Sequence, residues 1–262
     1  MKTVELRDAT LNIADVGSGP TLLLVHGFPL DHSMWRYQLE ALADGYRVVA
    51  PDLRGFGAST GATDTITMEQ LADDMAELLD RLDISEPITF CGLSMGGYVA
   101  WQFWQRHASR LARLILCDTR AVADTEEVAR GRRVMAERVL SEGSSIVSDA
   151  MLPKLFSEQT VRAQAEIIEA TRQVIEATSP ATIAGALRGM AQRPDMTAEL
   201  PNIAVPTLVL CGQHDVISTV DEMRSIADTL PNARFAEVSG SGHMTTLEAP
   251  DAVNAAIRQF LA

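Results

Sequence analysis

Short apolar runs alternate with longer amphipathic stretches along most of the chain. Near the start, Thr3 to Leu6 and Leu11 to Ala14 alternate apolar and polar positions and predict an antiparallel hairpin. Gly17-Ser18-Gly19-Pro20 marks a turn. Nearly continuous apolar runs follow at Thr21–Val25, Tyr46–Ala50, Ile88–Cys91, Leu114–Cys117 and Thr207–Cys211, with Phe235–Val238 a weaker one. Runs without a polar alternation suit strands covered by helices on both faces, as in a parallel sheet.

Between these runs the period changes to that of a helix. Met68, Leu71, Met75, Leu78, Leu79 and Leu82 recur at intervals of three and four, so Thr67 to Leu82 reads as a helix with one buried face. Thr67 can cap it, and Glu69, Asp73 and Asp74 lie in or near its first turns. Met95–His107, Thr219–Leu230 and Leu247–Leu261 read as further helices. The sum is an α/β architecture, a mostly parallel eight-stranded sheet flanked by helices with right-handed crossovers. The alternation lapses from about Ala121 to Arg193, which is helical in pattern throughout and too long for a plain loop. This divides the chain into a core of residues 1–120 and 194–262 and an inserted helical cap of residues 121–193, with the sheet resuming over Ile203 to Val209.

Composition narrows the function. Hydrophobic residues make up 47% and charged residues 22%, ordinary for a globular protein with a real core. A net charge of −13 repels phosphate backbones and anionic bilayers, which argues against nucleic-acid and membrane partners. No segment has the apolar length to span a bilayer, and Met1 to Asp8 interleaves charges where a signal peptide would be apolar. Cys91, Cys117 and Cys211 each end an apolar run, with no zinc-like spacing. Buried, reduced thiols are the reading, and a cytoplasmic location the expectation.

The informative motif is Gly92-Leu93-Ser94-Met95-Gly96, which follows one predicted strand and opens a helix. Two glycines let strand and helix close around a serine whose hydroxyl then projects from the sheet edge. The Met95 amide lies at the helix start, where N–H groups are unpaired and favour anions. Val25-His26-Gly27-Phe28-Pro29 ends the first buried strand. Its Phe28 amide is the second candidate oxyanion donor, because Pro29 has no N–H. His26, beside that glycine, reads as a structural, hydrogen-bonded histidine. The base expected for Ser94 is His243, in the loop Ser239-Gly240-Ser241-Gly242-His243-Met244 between the last strand and the last helix. Asp215, in Gly212-Gln213-His214-Asp215, is preferred as the acid that fixes the imidazole tautomer, and Asp118, which also ends a strand, is its rival.

With these residues in place, the sequence resembles the α/β-hydrolase superfamily over essentially its whole length. It is most similar to small capped esterases, enol-lactonases and esterase/perhydrolases. The resemblance is carried by His26 to Asp31 with Trp35, by Asp52-Leu53-Arg54-Gly55-Phe56-Gly57-Ala58-Ser59, by Gly92 to Gly97, by Gly212 with Asp215, and by Gly242-His243. It implies the α/β-hydrolase fold and a serine hydrolase of small carboxylic esters or lactones. The Ser94–His243–Asp215 triad would work through an acyl-enzyme, with no metal or organic cofactor. Haloalkane dehalogenases and epoxide hydrolases of this fold carry Asp at the elbow, and dienelactone hydrolases Cys, whereas this chain has Ser94. Trp35 and Met244 are candidate walls of the substrate pocket, and Arg120 is a candidate for a substrate carboxylate. Two other readings use the same residues: a carbon–carbon hydrolase of β-diketone-type substrates, and a ligand receptor that keeps the fold. A homo-oligomer is left open.

Overall fold

A computed structural model describes residues 1–262. Eight strands form one sheet: β1 (Lys2–Glu5), β2 (Thr10–Val16), β3 (Thr21–Val25), β4 (Arg47–Pro51), β5 (Ile88–Leu93), β6 (Leu111–Cys117), β7 (Thr207–Gly212) and β8 (Ala233–Val238). Their spatial order is β1-β2-β4-β3-β5-β6-β7-β8. β2 runs antiparallel to β1 and β4, and every other neighbouring pair is parallel. The expected hairpin and strands are therefore all present, with edge strand β8 only partly buried. Residues of β3 and β5 such as Leu22, Leu23, Leu24, Phe90 and Cys91 are wholly buried, as strands covered on both faces must be.

The helices are α1 (Arg36–Leu42), α2 (Met68–Arg81), α3 (Met95–His107), α4 (Glu126–Glu142), α5 (Ser145–Leu155), α6 (Glu158–Ala163), α7 (Ala165–Ala177), α8 (Pro180–Met190), α9 (Val220–Thr229), α10 (Thr245–Glu248) and α11 (Pro250–Leu261). Thr67 caps α2, its side chain accepting from the Gln70 amide. Most element ends shift by one to three residues from the sequence reading, and two larger differences have a clear cause. The stretch Leu247–Leu261 belongs to two helices, broken at Ala249, because Pro250 disfavours helical geometry in the residue before it. β7 begins at Thr207 rather than near Ile203, since Thr197–Asn202 forms a short 3₁₀ turn and Pro206 cannot donate to a ladder.

Helices α4 to α8 lie between β6 and β7 in the chain and are anchored to loops that leave the sheet. The Thr178 hydroxyl donates to the Pro29 carbonyl at 3.3 Å, and the Thr182 hydroxyl to the Gly55 carbonyl at 2.9 Å. The Met244 amide donates to the Leu155 carbonyl at 3.1 Å. These contacts place α5, α7 and α8 against the segments that follow β3, β4 and β8. Six parallel strands release their loops at one edge of the sheet, and all the candidate catalytic residues are on those loops. No helix is long and apolar enough to cross a membrane.

Candidate active site

Ser94 sits between β5 and α3 with φ 53° and ψ −112°, a conformation that costs a residue with a side chain about 1–3 kcal/mol. Neighbours hold it there. Its amide donates to the Cys117 carbonyl at 2.9 Å, and its carbonyl accepts the Thr119 hydroxyl at 2.7 Å. The turn closes only because Gly92 and Gly96 lack side chains. A Cβ on Gly92 would strike the Gly96 carbonyl, and one on Gly96 the Val25 carbonyl.

His243 and Asp215 meet. The Nδ1–H of His243 donates to Asp215 Oδ2 at 2.8 Å, and both residues are buried. Asp215 accepts three further hydrogen bonds, from the Ile217 amide (2.7 Å), the Ser218 amide (3.1 Å) and the Ser218 hydroxyl (2.6 Å). Burial pushes the Asp215 carboxyl up, but the interaction with His243 and these donors outweigh it and hold the group below the usual carboxylate range. No hydrogen bond joins Ser94 Oγ to His243 Nε2, and neither atom bonds elsewhere in the protein. Neither is among the four buried polar side-chain atoms that lack a partner, so both reach solvent-accessible space. Catalytic hydrogen bonds are commonly loose until substrate arrives.

The segment after β3 packs against the serine. A Cβ on Gly27 would lie 3.4 Å from Ser94 Cβ. The adjoining Phe28 amide donates to no protein acceptor. The Met95 amide is the first N–H of α3, one that the helix itself leaves free. Two unpaired donors thus flank Ser94. His26 takes no part: its Nδ1 bonds the Gly27 carbonyl and its Nε2 accepts the Leu53 amide, both at 2.9 Å. Burial lowers its pKa and keeps the ring neutral.

Of the three candidate substrate contacts, Trp35 and Met244 are buried within the apolar core. The Arg120 guanidinium is engaged by Glu222 of α9 at 2.8 Å. A cleft of about 890 Å³ opens between α5–α6 and the loop after β7. Asp215, His214 and Phe156 line it, while Ser94 and His243 do not, so it backs the acid rather than the nucleophile. Asp118, Cys211 and Asp215 bring their side-chain donor atoms within 4.8 Å of one another, as do Asp31, His32 and Asp52. In each trio a carboxylate is already committed to an imidazole, Asp215 to His243 and Asp52 to His32 at 2.6 Å.

Sequence reasoning missed three residues of this region. Ser218 steadies Asp215; Thr245 donates its hydroxyl to Asp118; Glu248 accepts the amides of Gly242 and Met244. None belongs to a motif, and Glu248 reads simply as a polar position near a helix start.

Residues 20–250 match the family model described as alpha/beta hydrolase fold. The chain belongs to the α/β-hydrolase fold family. The resemblance carried by its five segments is thereby borne out, as is the fold. Among solved α/β-hydrolases, a thermophilic esterase from Thermogutta terrifontis, with malate bound, is 45% identical. It superposes with a TM-score of 0.97 over 99% of this chain and 97% of its own. The enol-lactonase of Burkholderia xenovorans LB400 is 31% identical, with a TM-score of 0.92 over 99% of both chains. The 3-oxoadipate enol-lactonase 2 of Acinetobacter baylyi is 27% identical over 99% of this chain and 96% of its own. These α/β-hydrolase relatives are carboxylic ester hydrolases.

Proposed function

We propose that the protein hydrolyses small carboxylic esters or lactones through an acyl-enzyme, with Ser94 as nucleophile, His243 as base and Asp215 as its orienting acid. The observation that carries the reading is the pairing of a buried Asp215–His243 hydrogen bond of 2.8 Å with a strained Ser94, its hydroxyl unbonded, on a neighbouring loop. The esterase and enol-lactonase relatives support the ester or lactone class.

In this reading Ser94 Oγ attacks the carbonyl carbon as its proton passes to His243 Nε2. Asp215 holds Nδ1 protonated, so Nε2 is the free lone pair, and its charge stabilises the imidazolium that forms. The oxyanion settles on the Phe28 and Met95 amides, each worth roughly 3 kcal/mol on the scale of other oxyanion donors. His243 returns its proton to the leaving alkoxide, and water, activated by the same imidazole, releases the acid. Helices α4–α8 act as the cap, residues 121–193, over the core of residues 1–120 and 194–262. Trp35 and Met244 serve as supporting walls from within the core, and Arg120 recognises substrate only by giving up Glu222.

The test is turnover of p-nitrophenyl acyl esters, butyrolactone and a vinylogous diketone by the wild type and by Ser94→Ala. Ester or lactone turnover that falls by roughly 10⁶ in the variant is expected. Near-normal hydrolysis by Ser94→Ala sinks the nucleophile assignment. Preferential cleavage of the diketone redirects the substrate class, and a single stoichiometric event with no turnover redirects it to a receptor.

A further inference from the structure

Glu248 ends α10, is buried, and has no part in the chemistry above. Its two oxygens serve two different segments. Oε1 accepts the Gly242 amide at 2.9 Å and the Met244 amide at 3.1 Å, the N–H groups of the residues before and after His243. Oε2 accepts the Ser157 amide at 2.8 Å and the Thr160 hydroxyl at 2.7 Å, where the chain turns from α5 into α6. The loops it joins also touch: a Cβ on Gly242 would lie 2.7 Å from the Ser157 nitrogen.

The Oε1 half alone resembles the return arm of a helix N-cap, a side chain reaching back to free amides at its own helix start. A cap does not explain the Oε2 half. Those donors are 88 and 91 residues away in sequence, on the cap segment. Hydrogen bonds from fixed donors are directional, and four of them, from three amides and a hydroxyl, leave this side chain little freedom. Holding the amides of the residues before and after His243 constrains the backbone that aims the ring, while Asp215 constrains only the ring itself.

We propose that Glu248 is a positioning residue: it sets the backbone of His243 and ties it to the α5–α6 junction, so that the base is aligned only while that junction is seated. The inference rests on the reading of His243 as the base. Its signature is a loss of kcat with KM unchanged, because substrate contacts stay in place while proton transfer is misaligned.

The test compares Glu248→Ala, Glu248→Gln and Thr160→Val with wild type by steady-state ester hydrolysis, fluorophosphonate labelling of Ser94 and thermal melting. Misplacing a catalytic group by about 1 Å costs on the order of 100-fold, so Glu248→Ala should lose roughly that in kcat and in labelling rate, with KM within about twofold. Glu248→Gln keeps one carbonyl oxygen for the His243 side and presents an NH₂ group to the Ser157 amide, so it should fall between wild type and Ala. Thr160→Val removes a single cap-side donor and should lower kcat in the same sense, with KM unmoved. Glu248 variants that melt lower yet keep wild-type kcat and labelling rate would overturn the proposal. If neither Glu248 variant folds, Thr160→Val decides: wild-type kcat there overturns it, and a fall in kcat at constant KM supports it. Ser94→Ala is run alongside. If it hydrolyses normally, the function reading fails; if it is inert while the Glu248 and Thr160 variants are normal, only the positioning role fails.

Discussion

Asp118 offers a sharp electrostatic prediction. It ends β6, is wholly buried, and has a carboxyl oxygen within 4.8 Å of one from Asp215. Burial pushes its pKa well above the usual carboxylate range, the Asp215 charge adds to this, and donors from Thr245 and the Gly212 amide do not reverse it. Two carboxyls so close do not both ionise cheaply, and Asp215 already carries the charge that His243 uses. The proton therefore stays on Asp118. Asp118→Asn preserves size, neutrality and both hydrogen bonds, since Asn Oδ1 can accept from Gly212 and its NH₂ can donate to Thr245.

The sign follows from linkage. With a raised pKa in the folded state, folded Asp118 binds more protons than its unfolded counterpart at pH values above 3.8 and below the raised pKa. Its contribution is fully favourable below the unfolded value and is lost as pH rises through that window, by up to about 1.4 kcal/mol per pH unit. Asn has no such slope. At about 2–4 °C per kcal/mol for a chain of this size, the Tm of Asp118→Asn should gain on wild type by up to roughly 3–6 °C per pH unit across the window. Melting curves of both proteins from pH 4.5 to 8 at fixed ionic strength make the comparison. Parallel Tm curves, or a variant that loses ground as pH rises, would show that Asp118 is charged and that the electrostatic assignment is wrong.

Other expectations are more direct. Asp215→Asn should lower kcat by about 10⁴ through the wrong imidazole tautomer, whereas Asp118→Asn should leave most turnover in place; the reverse ranking would make Asp118 the acid. Burial raises the Asp52 carboxyl, but donors from His32, Asn12 and the Ala58 amide bring it from 3.8 to about 2. Its stabilisation is present above 3.8 and lost as pH falls through about 2, so Asp52→Asn should cost about 2 kcal/mol in urea unfolding at pH 7 and progressively less toward pH 3. An undiminished cost at pH 3 would exclude this origin. Gly96→Ala should push the elbow off the Val25 carbonyl, costing about 1–3 kcal/mol by overpacking and abolishing fluorophosphonate labelling; a variant that labels at the wild-type rate would mean the elbow has room.

The parts of this fold that were legible in sequence are those whose physics is local. An apolar run such as Leu22 to Val25 has few options besides a strand covered on both sides, and Thr67 announces α2 because its hydroxyl satisfies an amide three residues on. Ser94 was legible because the strain of the elbow demands small neighbours on both sides. The split between α10 and α11 carried a signal in Pro250 that periodicity outweighed. What was not legible is contact across strands. Asp118 and Asp215 both follow neighbouring parallel strands, with Cys117 in register with Leu210, so sequence alone ranks them only by chain order and loop context. Which one faces the imidazole depends on where the His243 loop lands, and that is decided by Thr245, Glu248 and the α5–α6 junction far away in sequence.

That dependence reaches beyond legibility. Asp215 orients the ring of His243, Asp118 anchors the nearby Thr245, and Glu248 grips the amides of Gly242 and Met244, so the proposed base is held from its ring, its flank and its backbone. Only the first of these restraints belongs to the proposed triad. The second joins the loop to β6 and β7 of the sheet, because Asp118 also accepts the Gly212 amide at 2.8 Å. The third joins it to α6, an element supplied by the insertion between β6 and β7. A rigid sheet edge and a separately anchored helical segment therefore converge on one loop, and a displacement of α6 must either stretch the Glu248 bonds or carry His243 with it. In the proposed mechanism, the position of His243 Nε2 relative to Ser94 Oγ is set by that balance.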